Sequence, residues 1–157
     1  MTPVPLPGEL YIEVTNRCNS RCQTCVRTFE AQEPIRDLDL AEFCALVDQA
    51  PRLRRAVLHG VGEPLLNPEL SAMIAYLKRR NDPPDVLFNS NAILLTPIWQ
   101  DRLMEAGLDE LRISTDAAHR ELYAQIRGVD GFERMVENVS CLLYTSDAAD
   151  DQGLGLV

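Results

Sequence analysis

The sequence predicts an α/β fold built from repeated βα units. Three observations lead there. Short apolar runs alternate with longer stretches whose apolar residues recur at helical spacing. Each helical stretch follows its own strand run, the order that parallel strands with crossover helices require. The polar clusters fall directly after the strand runs, where a (β/α) barrel and an open α/β sheet both gather their functional residues.

Pro3, Pro5 and Pro7 make residues 1–8 an extended lead-in, because proline lacks the backbone donor that helix and sheet need. The first strand is expected over Leu10–Val14 and runs into a cysteine-rich loop. Residues 26–37 read as a continuation of that loop, with Arg27 either near an anionic ligand or solvated. The first helix starts near Asp39, which forms a capping-box-like pair with Glu42. Leu40, Phe43, Cys44 and Val47 form its apolar face, so Cys44 is expected as a core thiol.

Ala56-Val57-Leu58 has the short apolar character of a buried parallel strand, and His59-Gly60-Val61-Gly62-Glu63-Pro64 follows it. Asn67 as cap and Pro68 at the first helical position open the second helix. Leu70, Met73, Ile74 and Leu77 face inward, and Lys78-Arg79-Arg80 suit the negative end of the helix dipole. Val86-Leu87-Phe88 is the third strand, leading into Asn89-Ser90-Asn91. Thr96 and Pro97 open the third helix, whose inner face is Trp99, Leu103 and Ala106 and which Gly107 ends as a left-handed cap. Leu111-Arg112-Ile113 is the fourth strand, ending at Ser114-Thr115-Asp116. A short helix over Glu121–Arg127 stops at Gly128. A last helix begins near Gly131, with Phe132, Met135, Val136 and Val139 as its stripe.

The 157 residues are 46% hydrophobic and 25% charged, ordinary for a globular domain with a core. A net charge of −9 argues against a general nucleic-acid surface, which needs clustered Lys and Arg. The N-terminus lacks the basic and apolar segments of a signal peptide, and no run reaches the roughly 18 apolar residues of a membrane span. Five cysteines, three of them in one loop, suit a reducing compartment better than a disulfide framework. A cytoplasmic location is expected.

Cys18, Cys22 and Cys25 are spaced C-x3-C-x2-C. Iron–sulfur clusters are usually held by four cysteines, so three on one loop leave an iron without a protein ligand. An open metal position can take a substrate or cofactor. Two other readings of the same residues stand beside this one: a non-catalytic zinc or iron–sulfur module, with His59 or Cys44 as fourth zinc ligand, or three idle reduced thiols. Gly60-Val61-Gly62 lacks the third glycine of a dinucleotide fingerprint, and no Ser–His–Asp arrangement is evident.

The cysteine loop resembles the signature of the radical S-adenosylmethionine (SAM) enzymes, and the likeness extends over about residues 9–140. The resemblance implies a [4Fe–4S] cluster on Cys18, Cys22 and Cys25, whose open iron chelates the amino and carboxylate groups of SAM. One electron, from a reductant such as flavodoxin or ferredoxin, then cleaves SAM to methionine and a 5′-deoxyadenosyl radical. That radical abstracts hydrogen from a peptide or small-molecule substrate. Thr24 stands where relatives often carry an aromatic residue near the adenine. Gly60-Val61-Gly62-Glu63-Pro64 is similar to the family's Gly-Gly-Glu motif, with Val61 in place of its first glycine. Gly60 and Gly62 would let the backbone approach the cofactor, and Glu63 would accept from its ammonium. Asn89, ahead of Ser90 and Asn91, is implied to line the SAM site. Ser114 and Asp116 are implied at the ribose, with helix capping as their alternative, and Arg127 at the SAM carboxylate, with an ordinary helix-end role as its alternative. His59 reads as a strand-end polar residue. The implied fold is a partial TIM-like (β/α) barrel, with four βα units present of about six. The Thr15-Asn16-Arg17-Cys18-Asn19 lead resembles the branch with a C-terminal auxiliary-cluster (SPASM-type) domain.

From Cys141 the sequence Cys-Leu-Leu-Tyr-Thr-Ser-Asp-Ala-Ala-Asp-Asp resembles an in-frame translation of a transposon-end adapter used in sequencing libraries. Residues 1–140 are therefore expected to be a truncated core domain and residues 141–157 a non-native tail. The fourth strand is then expected to be an open edge, with weak SAM binding and poor solubility as consequences.

Overall fold

Five parallel strands form one sheet in the order β1-β2-β3-β4-β5: Glu9–Tyr11, Arg55–Val57, Asp85–Ser90, Glu110–Ile113 and Gly155–Leu156. The computed structural model describes residues 6–30, 34–147 and 155–156. Parts of the proline-rich lead-in, of the loop after the cysteines and of the expected tail lie outside the described residues. Strand order follows chain order without a reversal. A doubly wound sheet would change direction at a switch point, so the sequential order selects the barrel-like arrangement. β5 was not anticipated. It pairs with β4 at Glu110 and Leu111, so the expected open edge is covered over those two residues.

Side chains alternate across the sheet. Ile12, Val14, Ala56, Leu58, Val86, Phe88 and Leu111 enter the core, where they meet Phe43, Val47, Met73, Ile74, Leu77 and Leu103. These last residues come from α2 (Leu40–Val47), α3 (Leu70–Lys78) and α4 (Pro97–Ala106). The helices form one layer, α2 against α3 and α3 against α4. Two further helices, α5 (Arg120–Arg127) and α6 (Phe132–Asp147), pack on each other, and α6 also meets α4. The intervening residues Tyr11, Val57, Leu87 and Asn89 point to the opposite, concave face. That parity decides which polar side chains reach the site.

Several local expectations need correction. A single turn of helix, α1 (Val26–Phe29), lies within the stretch read as loop. Asp39 caps α2 through Glu42 N at 2.7 Å, but the Glu42 carboxylate turns to Arg36, so the box is one-sided. Cys44 is half-buried rather than in the core. Asn67 precedes a helix whose N-cap is Glu69. Its amide accepts from Glu69 N but also donates to the carbonyls of Val14 and Leu38, tying three segments together. Lys78 pairs with Asp109, and Arg80 donates to the carbonyls at the end of α2, so this basic run links elements rather than only answering a dipole. Val136 is exposed; the buried face of α6 runs through Phe132, Met135, Val139 and Leu142 instead. This helix crosses residue 140 without a break, and Leu142 belongs to the common core.

Candidate cofactor site

Above the carboxyl ends of the strands lies a cleft of about 340 Å³. The three loop cysteines line it together with Gly60, Gly62, Glu63, Asn89, Ser114, Asp116 and Arg127. Every residue selected from the sequence as a cluster or cofactor ligand is therefore brought to one place. Thr24 and His59 also face it, and His59 stacks edge-on against Tyr11 with ring centroids 6.1 Å apart.

The cysteine loop is shaped by its neighbours. Glu63 N donates to Arg17 O at 2.7 Å on one side. On the other, Arg21 N and Gln23 N donate to the carbonyls of Arg127 and Ile126, each at 2.9 Å. Gly128, with φ of 64°, ends α5 so closely against Arg21 that a Cβ would strike the Arg21 carbonyl. Arg27 neither contacts the cleft nor stays solvated; its guanidinium donates to Cys18 O and Ser20 O and closes the loop from within. Cys22 Sγ accepts from Arg127 Nη1 at 3.6 Å, and Cys18 Sγ from Ser20 N at 3.4 Å. Burial pushes the Cys18 thiol above its ordinary pKa, with the Glu63 carboxylate adding to the rise and Ser20 N and Arg27 opposing it.

Glu63 is buried at the centre of this arrangement, 2% exposed. One carboxylate oxygen accepts from Ser90 Oγ at 2.8 Å and Leu65 N at 3.2 Å, the other from Asn91 N at 2.8 Å. Burial holds its pKa above the usual glutamate value, partly offset by these donors and by the nearby Arg127 charge. Asn91 then reaches the cysteine loop, donating to Asn19 Oδ1 at 2.7 Å and Ser20 Oγ at 3.2 Å. The sequence had favoured Asn89 over Ser90 and Asn91. Asn89 does line the cleft, with its Oδ1 buried and lacking a hydrogen-bond partner, but Ser90 and Asn91 hold Glu63 in place. Only their opposite directions around the strand end separate these roles, and a one-dimensional reading does not contain those directions.

Arg127 is 8% exposed, and its Nε lies 2.6 Å from Asp116 Oδ2. That is an ion pair in distance, without the alignment of a hydrogen bond. Asp116 does not cap α5, because His119 occupies that position. Gly62 also departs from its expected role. The space where its Cβ would sit is filled by the carbonyls of Thr15 and Arg17, so the close approach is to the chain itself. At Gly60 the corresponding space holds the Glu13 carboxylate, which accepts from Val61 N at 2.7 Å. Among the described residues, no three His, Cys, Asp or Glu side chains converge on a single ion. A cluster addresses each thiolate to a different iron, so it does not require such convergence.

The family model for the Radical SAM superfamily matches residues 12–143. The chain is 32% identical over 135 residues to the GTP 3′,8-cyclase of Chlorobaculum tepidum, covering 85% of this chain and 40% of that protein. It is 27% identical over 132 residues to the PqqA peptide cyclase of Granulibacter bethesdensis, covering 83% and 35%. Among solved structures it superimposes on anSMEcpe with bound AdoMet at a TM-score of 0.71, with 18% identity, covering 89% of this chain and 41% of that one. The chain thus spans about two fifths of the length of these proteins.

Proposed function

The chain belongs to the radical SAM superfamily, and from that premise we propose that it forms the cluster- and SAM-binding part of a radical SAM enzyme. The observation that carries the proposal is the cleft joining three cysteines to polar groups that follow β2, β3 and β4. When bound, a [4Fe–4S] cluster with SAM supplies reductive cleavage to a 5′-deoxyadenosyl radical, which abstracts hydrogen from substrate.

The residues present suit both groups. Cys18, Cys22 and Cys25 are free thiols at the cleft wall, three soft donors that leave one cluster iron unliganded. Asn89 Oδ1 is a buried acceptor without a partner, and such an atom is disfavoured unless a ligand completes it. Glu63 would accept from the SAM ammonium, because its carboxylate is desolvated and an adjacent cation restores the charged form. Arg127 would take the methionine carboxylate on its terminal nitrogens while Asp116 holds its Nε side. Ser114 and Asp116 offer a hydroxyl and a carboxylate to the ribose hydroxyls. The backbone of Gly60–Gly62 forms the rim next to Glu63.

The proposed whole enzyme acts on a peptide or small-molecule substrate, accepts its electron from a flavodoxin or ferredoxin, resides in the cytoplasm and belongs to the branch with an auxiliary-cluster domain. Among the described residues no helix is long and apolar enough to cross a membrane. Residues 141–157 are proposed as a non-native extension of the core domain, on the strength of the adapter-like run.

The test is anaerobic reconstitution with iron and sulfide, followed by reduction and electron paramagnetic resonance with and without SAM. A reduced cluster whose signal changes on adding SAM is expected. A cluster indifferent to SAM would favour an electron carrier, and zinc uptake in place of a cluster would favour the non-catalytic module.

A further inference from the structure

We infer that the concave face of the sheet, beside the cofactor cleft, binds a carboxylate of the substrate through Arg112. The inference rests on the cofactor reading for its place in the reaction, and on separate residues for its chemistry.

Leu111 and Ile113 pack into the core side of β4, so Glu110, Arg112 and Ser114 face the concave side. Arg112 is the register partner of Asn89, a residue of the cleft wall, and Ser114, two residues on, is another. Arg112 itself does not line the cleft. It stands next to it, at the strand position paired with Asn89.

The interior of a closed parallel barrel is normally filled by branched apolar side chains. Here charged groups cross it as a ladder. Glu9 lies 3.8 Å from Arg55, Arg55 3.6 Å from Glu110, and Glu110 2.6 Å from Arg112. The ladder gives this face a polar strip beside the buried Val57 and Leu87, a place where a polar occupant can be met.

Arg112 is the end of that ladder nearest the cleft. Only its Nε is engaged, by Glu110 Oε1, and the side chain is 44% exposed. Its two terminal nitrogens have no partner among the described residues. A guanidinium with a free edge matches a carboxylate bidentately. Glu110 already neutralises part of the charge, and the chain carries a net charge of −9, so a single carboxylate is favoured over a multiply charged phosphate. Tyr11, 69% exposed on the same face, and His59 supply an aromatic wall at the opposite strands.

The experiment titrates the 157-residue chain with glutarate, with its neutral diamide glutaramide and with pyrophosphate, following arginine Nε–Hε resonances by NMR. The Arg112 signal is assigned by its loss in Arg112→Gln. Glutarate is expected to shift it saturably and glutaramide to leave it unmoved. Arg112→Gln should weaken glutarate at least about tenfold, since hydrogen bonds to charged groups have that weight. Arg112→Lys, which keeps the charge without the fork, should also bind more weakly than the wild type. SAM binding, measured on the same proteins after anaerobic reconstitution with iron and sulfide, should be unchanged. Equal glutarate affinity in wild type and both variants overturns the subsite, as does SAM binding with no response to glutarate. A stronger Arg112 response to pyrophosphate overturns the carboxylate assignment. Arg112-dependent glutarate binding by a chain that takes up no cluster on anaerobic reconstitution keeps the subsite and sinks the cofactor reading. Should Arg112→Gln fail to fold, Arg112→Lys decides.

Discussion

Replacing Gly62 by alanine should damage this protein far more than the same change two residues earlier, although both glycines sit in one motif. At Gly62 the added methyl would enter the space of Thr15 O and come within 2.7 Å of Arg17 O. Both obstacles are backbone, at the base of the cysteine loop, and neither can rotate away. Relief requires moving residues 15–17 or 62–63, which breaks the Glu63 N to Arg17 O bond of 2.7 Å. Overpacking of this kind costs about 1–3 kcal/mol, and a lost buried hydrogen bond about 1–3 kcal/mol. The expected loss is about 2–6 kcal/mol, a large part of a typical stability of roughly 5–15 kcal/mol. In a chain of this size it corresponds to a Tm lower by roughly 4–24 °C.

At Gly60 the methyl meets the Glu13 side chain instead, which can turn outward. What is lost is its exposed bond to Val61 N, about 1 kcal/mol or less. Urea unfolding of the two variants side by side is the assay. Gly62→Ala should also lower the yield of reconstituted cluster, because Glu63 and the loop shift together. Equal stability of Gly60→Ala and Gly62→Ala would show that the loop base yields freely and that the packing argument is wrong.

Burial raises the Glu63 pKa, so between the ordinary value of about 4.3 and the raised one the folded state binds more protons than the unfolded. Its contribution is then fully present below that window and lost as pH rises through it; the Tm difference should move in favour of Glu63→Gln on going from about pH 4 to pH 8, and a pH-independent difference would refute the assignment. Asn67 is fully buried and bonds Val14 O, Leu38 O and Glu69 N, so Asn67→Ala should lose about 3 kcal/mol or more in urea unfolding; a loss near zero would mean the freed carbonyls find water. Ala92 has φ of 57° and is fully buried, so Ala92→Gly trades left-handed strain against a lost methyl and chain entropy and should stay within about 1 kcal/mol of wild type. Ala92→Val should lose about 3 kcal/mol or more by crowding and strain, and thermal denaturation of the pair checks both.

The strand–helix alternation and the gathering of polar groups at strand ends were legible because both are written in local periodicity. That the cysteine loop, the glycine–glutamate motif and Ser114, Asp116 and Arg127 would meet at one place was legible as well, since topology alone carries strand ends to one edge. What escaped the sequence is the set of long-range ties. Asn67, Arg80 and Arg27 look like a cap, a helix end and a solvated cation, and Gln100 carries no signal at all. In the fold, Asn67 and Arg80 satisfy backbone carbonyls of distant segments, Arg27 closes its own loop, and Gln100 is buried and donates to Leu95 O and Asn138 O. A buried carbonyl needs a donor, but which residue supplies it is decided by packing. β5 was missed for a similar reason: a two-residue strand has no period to read.

These ties have a consequence for the site. The loop Cys18–Cys25 has few internal bonds of its own, and its outline is set by Glu63, Asn91, Ile126 and Arg127, from three different βα units. Four elements distant in sequence must be in place before the thiolates hold their positions. A loop so held surrenders less conformational freedom when it takes a cluster, which is the advantage of preorganisation. It also makes the site a reporter on the whole sheet edge. A substitution at Asn91, which touches no cysteine, is expected to disturb cluster assembly, whereas an equally polar change at exposed Glu105, on the outer side of α4, leaves it untouched. The chemistry of this region is thus a property of the parallel sheet's carboxyl edge, and the cysteine spacing is only the part of it that a sequence displays.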